Sequence, residues 1–75
     1  MRIHVQLVGI LKAKAPADGP LAMDDGATID DALEALGIGG ASVHVCSVNG
    51  AFTHDRRTVL RDGDALTVLP PVAGG

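Results

Sequence analysis

The chain has no tryptophan, no tyrosine and a single phenylalanine, Phe52. Without stacking aromatics it lacks the equipment of a single-strand nucleic-acid reader, and its core has to be built from Val, Leu, Ile and Ala. One cysteine, Cys46, excludes an intrachain disulfide framework and suits a reducing compartment. No apolar run approaches the roughly 18 residues of a membrane span. The N-terminus, with Arg2 and His4 inside an alternating pattern, lacks the apolar region of a signal peptide. A cytoplasmic location is therefore expected. A net charge of −3 leaves no basic surplus for a phosphate backbone and fits a partner with a basic docking surface.

What is present is an apolar fraction of 47% in 75 residues, enough for one domain near the lower size limit for independent folding. Residues 2–9 place Ile3, Val5 and Leu7 on one face and Arg2, His4 and Gln6 on the other, the period of a half-buried strand. Lys12, Lys14, Pro16, Gly19 and Pro20 mark a loop, and Leu21-Ala22-Met23 has room for a short return strand. Thr28 caps the one clear helix, with Asp31 at the capping-box position and Ile29, Ala32, Leu33 and Leu36 as its apolar stripe. The cluster Gly37-Ile38-Gly39-Gly40 stops it; because it follows a helix rather than a strand, it is not a phosphate-binding loop.

Residues 42–48 form a strand apolar on both faces, with Val43 and Val45 on one side and Cys46 and Val48 on the other, as expected of a central strand. Asn49-Gly50 is a hairpin signal. Beyond Ala51-Phe52-Thr53 come the exposed run His54-Asp55-Arg56-Arg57 and a short apolar strand, Thr58-Val59-Leu60. Arg61-Asp62-Gly63-Asp64 is a tight turn. Ala65 to Leu69 is the last strand, Leu66 and Val68 inward and Thr67 and Leu69 outward, until Pro70 forbids further central pairing. One helix over one face of a mixed sheet is the economical two-layer solution for so short a chain. The first and last strands can then lie side by side in its middle.

The chain is thus divided into a folded unit, residues 1–69, and an extended tail, residues 70–75, reading Pro70-Pro71-Val72-Ala73-Gly74-Gly75. Proline holds the polyproline geometry at about 3.1 Å per residue, so six such residues project a terminus up to roughly 18–20 Å. Gly-Gly lacks Cβ atoms and passes a channel too narrow for other dipeptides. A tail of this kind either delivers its own carboxylate into another protein's active site or is an ordinary frayed end, as most termini are.

A hairpin, a crossing helix, VNG at 48–50, DGD at 62–64 and PPVAGG at 70–75 together resemble the MoaD/ThiS sulfur-carrier family, a branch of the ubiquitin-like β-grasp fold. The paired prolines make the tail look closest to that of the molybdopterin synthase small subunit. The resemblance implies an α+β fold, four to five strands on one main helix. It also implies that Gly75 is adenylated by an ATP-dependent enzyme of the ubiquitin-activating type and then converted to a thiocarboxylate by a persulfide sulfur donor. Gly74, Ala73, Val72, Pro71 and Pro70 would thread and orient the tail, and the acceptor would be an enzyme such as the molybdopterin synthase large subunit. No cofactor is expected on the chain itself, ATP being used by the activating enzyme.

The protein is not expected to catalyse alone: it holds no nucleophile–base pair of defensible spacing. Cys46 is read as a small apolar strand residue, since nothing cationic adjoins it in sequence to lower its pKa. His4, His44 and His54 match no metal-ligand spacing, and Arg56 and Arg57 read as a solvated loop. Phe52 is either a core residue or an exposed anchor; as an anchor it would join Leu69, Val48 and Leu60 in an apolar patch that binds partners. Thiamine thiazole formation, tRNA thiolation, cysteine synthesis or a specialised thiocarboxylate pathway would use the same carrier chemistry. A lysine-directed protein modifier or a plain interaction module are the readings from other classes.

Overall fold

The computed structural model describes residues 1–16 and 19–71. The first strand, β1 (Arg2–Leu7), follows the predicted alternation: Ile3 and Leu7 are buried, Val5 is half-buried, and Arg2, His4 and Gln6 are exposed. It pairs antiparallel with the two-residue β2 (Leu21–Ala22), through Ile3 opposite Leu21. The segment between them is not all loop. Gly9–Lys14 forms a 3-10 helix, because Leu11 turns into the core at 4% exposure while its neighbours stay in solvent. A single inward residue leaves no periodicity to read in the sequence.

Helix α1 (Ile29–Leu36) starts with a reciprocal capping box. The Asp31 N–H donates to Thr28 Oγ1 at 3.3 Å, and the Thr28 N–H donates to Asp31 Oδ2 at 2.9 Å. The next N–H groups, which a helix start leaves without internal acceptors, are met by the chain alongside: Ile29 N–H donates to the Thr58 carbonyl at 3.1 Å and Asp30 N–H to the Arg56 carbonyl at 3.0 Å. Ile29, Ala32 and Leu33 are buried, Leu36 is half-buried, and Gly37 closes the helix in the left-handed conformation. Eight residues are too few to hold a helix in water without such packing.

Gly40–Ser42 makes a second 3-10 turn, so the third strand is shorter than the seven residues the sequence suggests and starts at Val45. β3 (Val45–Val48) turns through Asn49-Gly50 into β4 (Ala51–Thr53), with φ of 53° and 88° at the two turn residues, as a two-residue hairpin requires. Thr58-Val59-Leu60 does not form a strand. Only one bridge forms, Val59 with Thr28, and Leu60 enters the core instead, its N–H donating to the Ala27 carbonyl at 2.8 Å.

β5 (Ala65–Leu69) lies in the middle of a five-stranded sheet of order β2-β1-β5-β3-β4, parallel to β1 and antiparallel to β3. Leu66 and Val68 are fully buried beneath α1's side of the sheet, opposite Val48 and Cys46 of β3. Burying each such side chain contributes about 1.5–3 kcal/mol. This is the expected mixed sheet on one main helix, with the first and last strands adjacent at its centre. Among the described residues no helix is long and apolar enough to cross a membrane.

Candidate functional site

The end of β5 is fixed from both sides. On one side the Leu69 carbonyl accepts the His44 N–H at 2.8 Å; on the other the Val68 carbonyl accepts the Val8 N–H at 3.3 Å. Pro70 has no N–H, so the ladder stops there. Its half-buried ring sits over Gly9: a Cβ at Gly9 would stand 3.5 Å from Pro70 Cγ, and the φ of +61° at Gly9 is one that side chains rarely adopt. Pro71 beyond it is exposed. The remaining tail residues singled out from the sequence, Val72, Ala73, Gly74 and Gly75, lie outside the described residues.

Beside this exit the sheet presents its outer face, away from α1. Phe52 is 71% exposed on β4, which settles it as a surface residue. Ser47, its cross-strand partner, lies between it and Thr67, and Val45 faces Leu69. Phe52, Val45 and Leu69 therefore share one face of the sheet. Two members of the expected patch do not belong to it. Val48 is an odd number of residues from Val45 and so points inward, packed against the core. Leu60 is 1% exposed and lies in the core itself. Val45 was missed as a patch residue because its partner on β5 depends on register, which the sequence does not print.

The other candidates fall into structural roles. Arg56 is not a solvated side chain: its Nη2 donates to the Gly40 carbonyl at 2.9 Å and to the Val43 carbonyl at 3.3 Å, clasping the turn that leads into β3. Arg57 is exposed and paired with Asp55 at 3.3 Å. Cys46 is buried, and burial pushes its thiol above the usual range; the Arg56 guanidinium opposes this and Asp30 adds to it. The thiol is thus held as a protonated core group. His44 and His54 stack edge to face with ring centroids 5.9 Å apart. His4 lies on the outer face of β1, and no group of three or more potential metal ligands forms among the described residues. Two open grooves, of about 380 and 280 Å³, lie elsewhere; neither is lined by Leu69, Pro70 or Phe52.

A five-stranded mixed sheet crossed by one helix, with the chain leaving from the central strand, defines a ubiquitin-like β-grasp domain. Residues 5–75 match the ThiS family, and the chain belongs to it. Its role is accordingly of the ubiquitin-like, sulfur-carrier type. Two solved structures share the fold over the full length of both chains. One is SAMP1 from Haloferax volcanii, at 24% identity and a TM-score of 0.75. The other is a chain from the complex of subunits 1 and 2 of molybdopterin-converting factor from Helicobacter pylori 26695, at 22% identity and a TM-score of 0.62. No curated protein matches the chain in sequence.

Proposed function

We propose that this protein is a sulfur carrier whose C-terminal Gly75 is adenylated and then converted to a thiocarboxylate, and that it supplies sulfur in molybdopterin synthesis as the small subunit of a synthase. The observation that carries the proposal is the continuity of the tail with the central strand. β5 is hydrogen-bonded on both flanks up to Leu69, Pro70 is seated on Gly9, and the family match runs through the terminal Gly-Gly.

The chemistry follows from a carboxylate's weakness as an electrophile. One Gly75 carboxylate oxygen attacks the α-phosphate of ATP on the activating enzyme, and pyrophosphate leaves. At the carbonyl carbon of the resulting mixed anhydride sulfide displaces AMP, which leaves with the oxygen it gained, and gives the thiocarboxylate directly. A persulfide displaces AMP to give an acyl disulfide, whose S–S bond a second thiol of the sulfur donor then cleaves, releasing the thiocarboxylate and leaving a disulfide on the donor. The product thiocarboxylate is anionic near neutral pH, and its sulfur is the nucleophile toward an electrophilic carbon of the acceptor. This protein contributes the tail, its rigid base and the docking face around Phe52, Val45 and Leu69. The molybdopterin branch is supported by the paired prolines and by the fold shared with a chain of a two-subunit molybdopterin-converting factor.

The test is intact mass after incubation with ATP, a ubiquitin-activating-type enzyme and a sulfur donor. A gain of about 16 Da on the C-terminal peptide, one oxygen replaced by sulfur, is the expected result. Subsequent loss of that gain on mixing with a molybdopterin synthase large subunit and its pterin substrate assigns the acceptor. Covalent ladders on lysine targets without a sulfur-shifted free chain would overturn the carrier reading in favour of a modifier.

A further inference from the structure

Ile10 is the large apolar side chain left most open to solvent among those described, 83% exposed, and it does not lie on the sheet face that carries Phe52. It stands on the 3-10 helix Gly9–Lys14, whose position is set by two contacts, Leu11 in the core and Gly9 beneath Pro70. Lys12, two residues on, is exposed. Lys14 is directed elsewhere: its Nζ lies 4.0 Å from where a Cβ would sit on Gly37, at the C-terminal end of α1.

Charges of both signs meet at the start of β1, where Arg2, Arg61 and the N-terminal amine stand among carboxylates, whereas lysines stand at its far end. At its start Asp62 accepts the Arg2 N–H at 2.8 Å, Asp64 binds the adjoining turn, and Asp25 lies 3.9 Å from the N-terminal amine. At its far end, about 20 Å away for a six-residue strand, stand Lys12 and Lys14, neither paired with a carboxylate among the described residues. The tail leaves at this lysine end. From Pro71 to Gly75 the chain spans at most about 17 Å. An enzyme that closes on Gly75 therefore has to lie over the surface around Pro70, which on the β1 side is Gly9 and Ile10.

We propose that Ile10 and Lys12 form a docking element for the adenylating enzyme, Ile10 entering an apolar socket whose rim carries carboxylates facing Lys12. This rests on the carrier reading and adds to it a contact separate from the Phe52–Leu69 face. Exposed beside the tail exit, Lys12 attracts such a rim at close range.

The experiment is carrier-dependent ATP–pyrophosphate exchange by the ubiquitin-activating-type enzyme of the source organism, with four chains: wild type, Ile10→Asp, Lys12→Glu and Val59→Asp. Val59 is also exposed, at 57%, but it lies beside Thr28 at the start of α1 and serves as the control. Melting temperatures confirm that each variant folds. The expected result is a tenfold or greater rise in the half-saturating concentration for Ile10→Asp, and a smaller, salt-sensitive rise for Lys12→Glu. The maximal rate should be unchanged in both, and Val59→Asp should match the wild type. Wild-type exchange with Ile10→Asp indistinguishable from it would overturn the docking element and leave the carrier reading standing. Weakened binding only toward the sulfur acceptor would overturn the assignment of the occupant. No exchange with the wild type would remove both readings together.

Discussion

The Asn49 side chain and the Asp64 carboxylate, fifteen residues apart, are joined by a hydrogen bond of 2.9 Å from Nδ2 to Oδ1. Around it, Asn49 Oδ1 accepts the Ala65 N–H at 2.9 Å, and Asp64 Oδ2 accepts the Arg61 N–H at 2.8 Å. The hairpin after β3 is thereby fastened to the turn before β5. The VNG and DGD motifs, which carry much of the family resemblance, are thus two halves of one brace at the start of the central strand. Their work is to hold the strand from which the tail departs.

Removing the brace should lower stability without touching the tail. Asn49→Ala deletes two side-chain hydrogen bonds and puts alanine, which adopts a positive φ less readily than asparagine, at a φ of 53°, at a cost of about 1–3 kcal/mol. In a domain of this size each kcal/mol lowers Tm by about 4–8 °C. Asp64 adds a pH dependence. The Arg61 N–H and the Asn49 amide hold its carboxyl below the usual carboxylate range. Its contribution is therefore complete above the unfolded value, about 3.9, and is lost as pH falls through the lower folded value. Thermal melts should show the wild type's advantage over Asp64→Asn shrinking below about pH 4. The effect is small because the carboxylate is solvent-screened. A constant difference across that range would exclude the carboxylate's charge as the cause.

Arg56 and Gly40 make a second coupled pair. A Cβ at Gly40 would stand 2.5 Å from Arg56 Nη1, so Gly40→Ala displaces the guanidinium from the Gly40 and Val43 carbonyls. Arg56→Ala should cost about 1–3 kcal/mol. Gly40→Ala should cost part of that in the wild type and close to nothing in the Arg56→Ala background. Denaturant melts of the four chains measure this coupling; additive losses would show that the clasp does not hold the turn.

The regular elements were legible because each repeats a signal. Alternation over Ile3, Val5 and Leu7 and over Leu66 and Val68 gave the two central strands, and Thr28 with Asp31 gave the helix start. What escaped depends on a single residue or on register. Leu11 alone directs a 3-10 helix, Leu60 alone converts an expected strand into a core plug, and Arg56 finds its acceptors 13 and 16 residues away. The exit was legible from Pro70 onward, but its seat on Gly9 was not: only the parallel pairing of β1 with β5 brings them together.

That redistribution of the patch separates binding from folding. Leu69→Glu places a charge on the outer face beside Val45 and should weaken complexes with the activating enzyme and the acceptor at least tenfold, about 1.4 kcal/mol, with little change in Tm. Leu60→Ala empties a core position and should cost about 2–5 kcal/mol of stability. Its affinity per folded molecule should remain that of the wild type. Titration calorimetry beside thermal melts distinguishes the two; a Leu69→Glu chain that binds normally would remove the sheet face from the interface.

The last two residues test the tail itself. Gly75→Ala adds one methyl group at the atom that must enter both the adenylation pocket and the acceptor, where a bare backbone is the feature that admits it. The folded body ends its hydrogen-bonded ladder at Leu69, six residues earlier, so the substitution should leave Tm unchanged. Pyrophosphate exchange should fall at least a hundredfold, about 2.7 kcal/mol of lost transition-state stabilisation. If the loss appears as a raised half-saturating concentration with full maximal rate, the methyl group obstructs entry. If it appears in the maximal rate, the chain enters but its carboxylate is held away from the α-phosphate. Normal exchange by the Ala variant would mean that no narrow channel reads the terminus, and the carrier chemistry assigned to Gly75 would have to be abandoned.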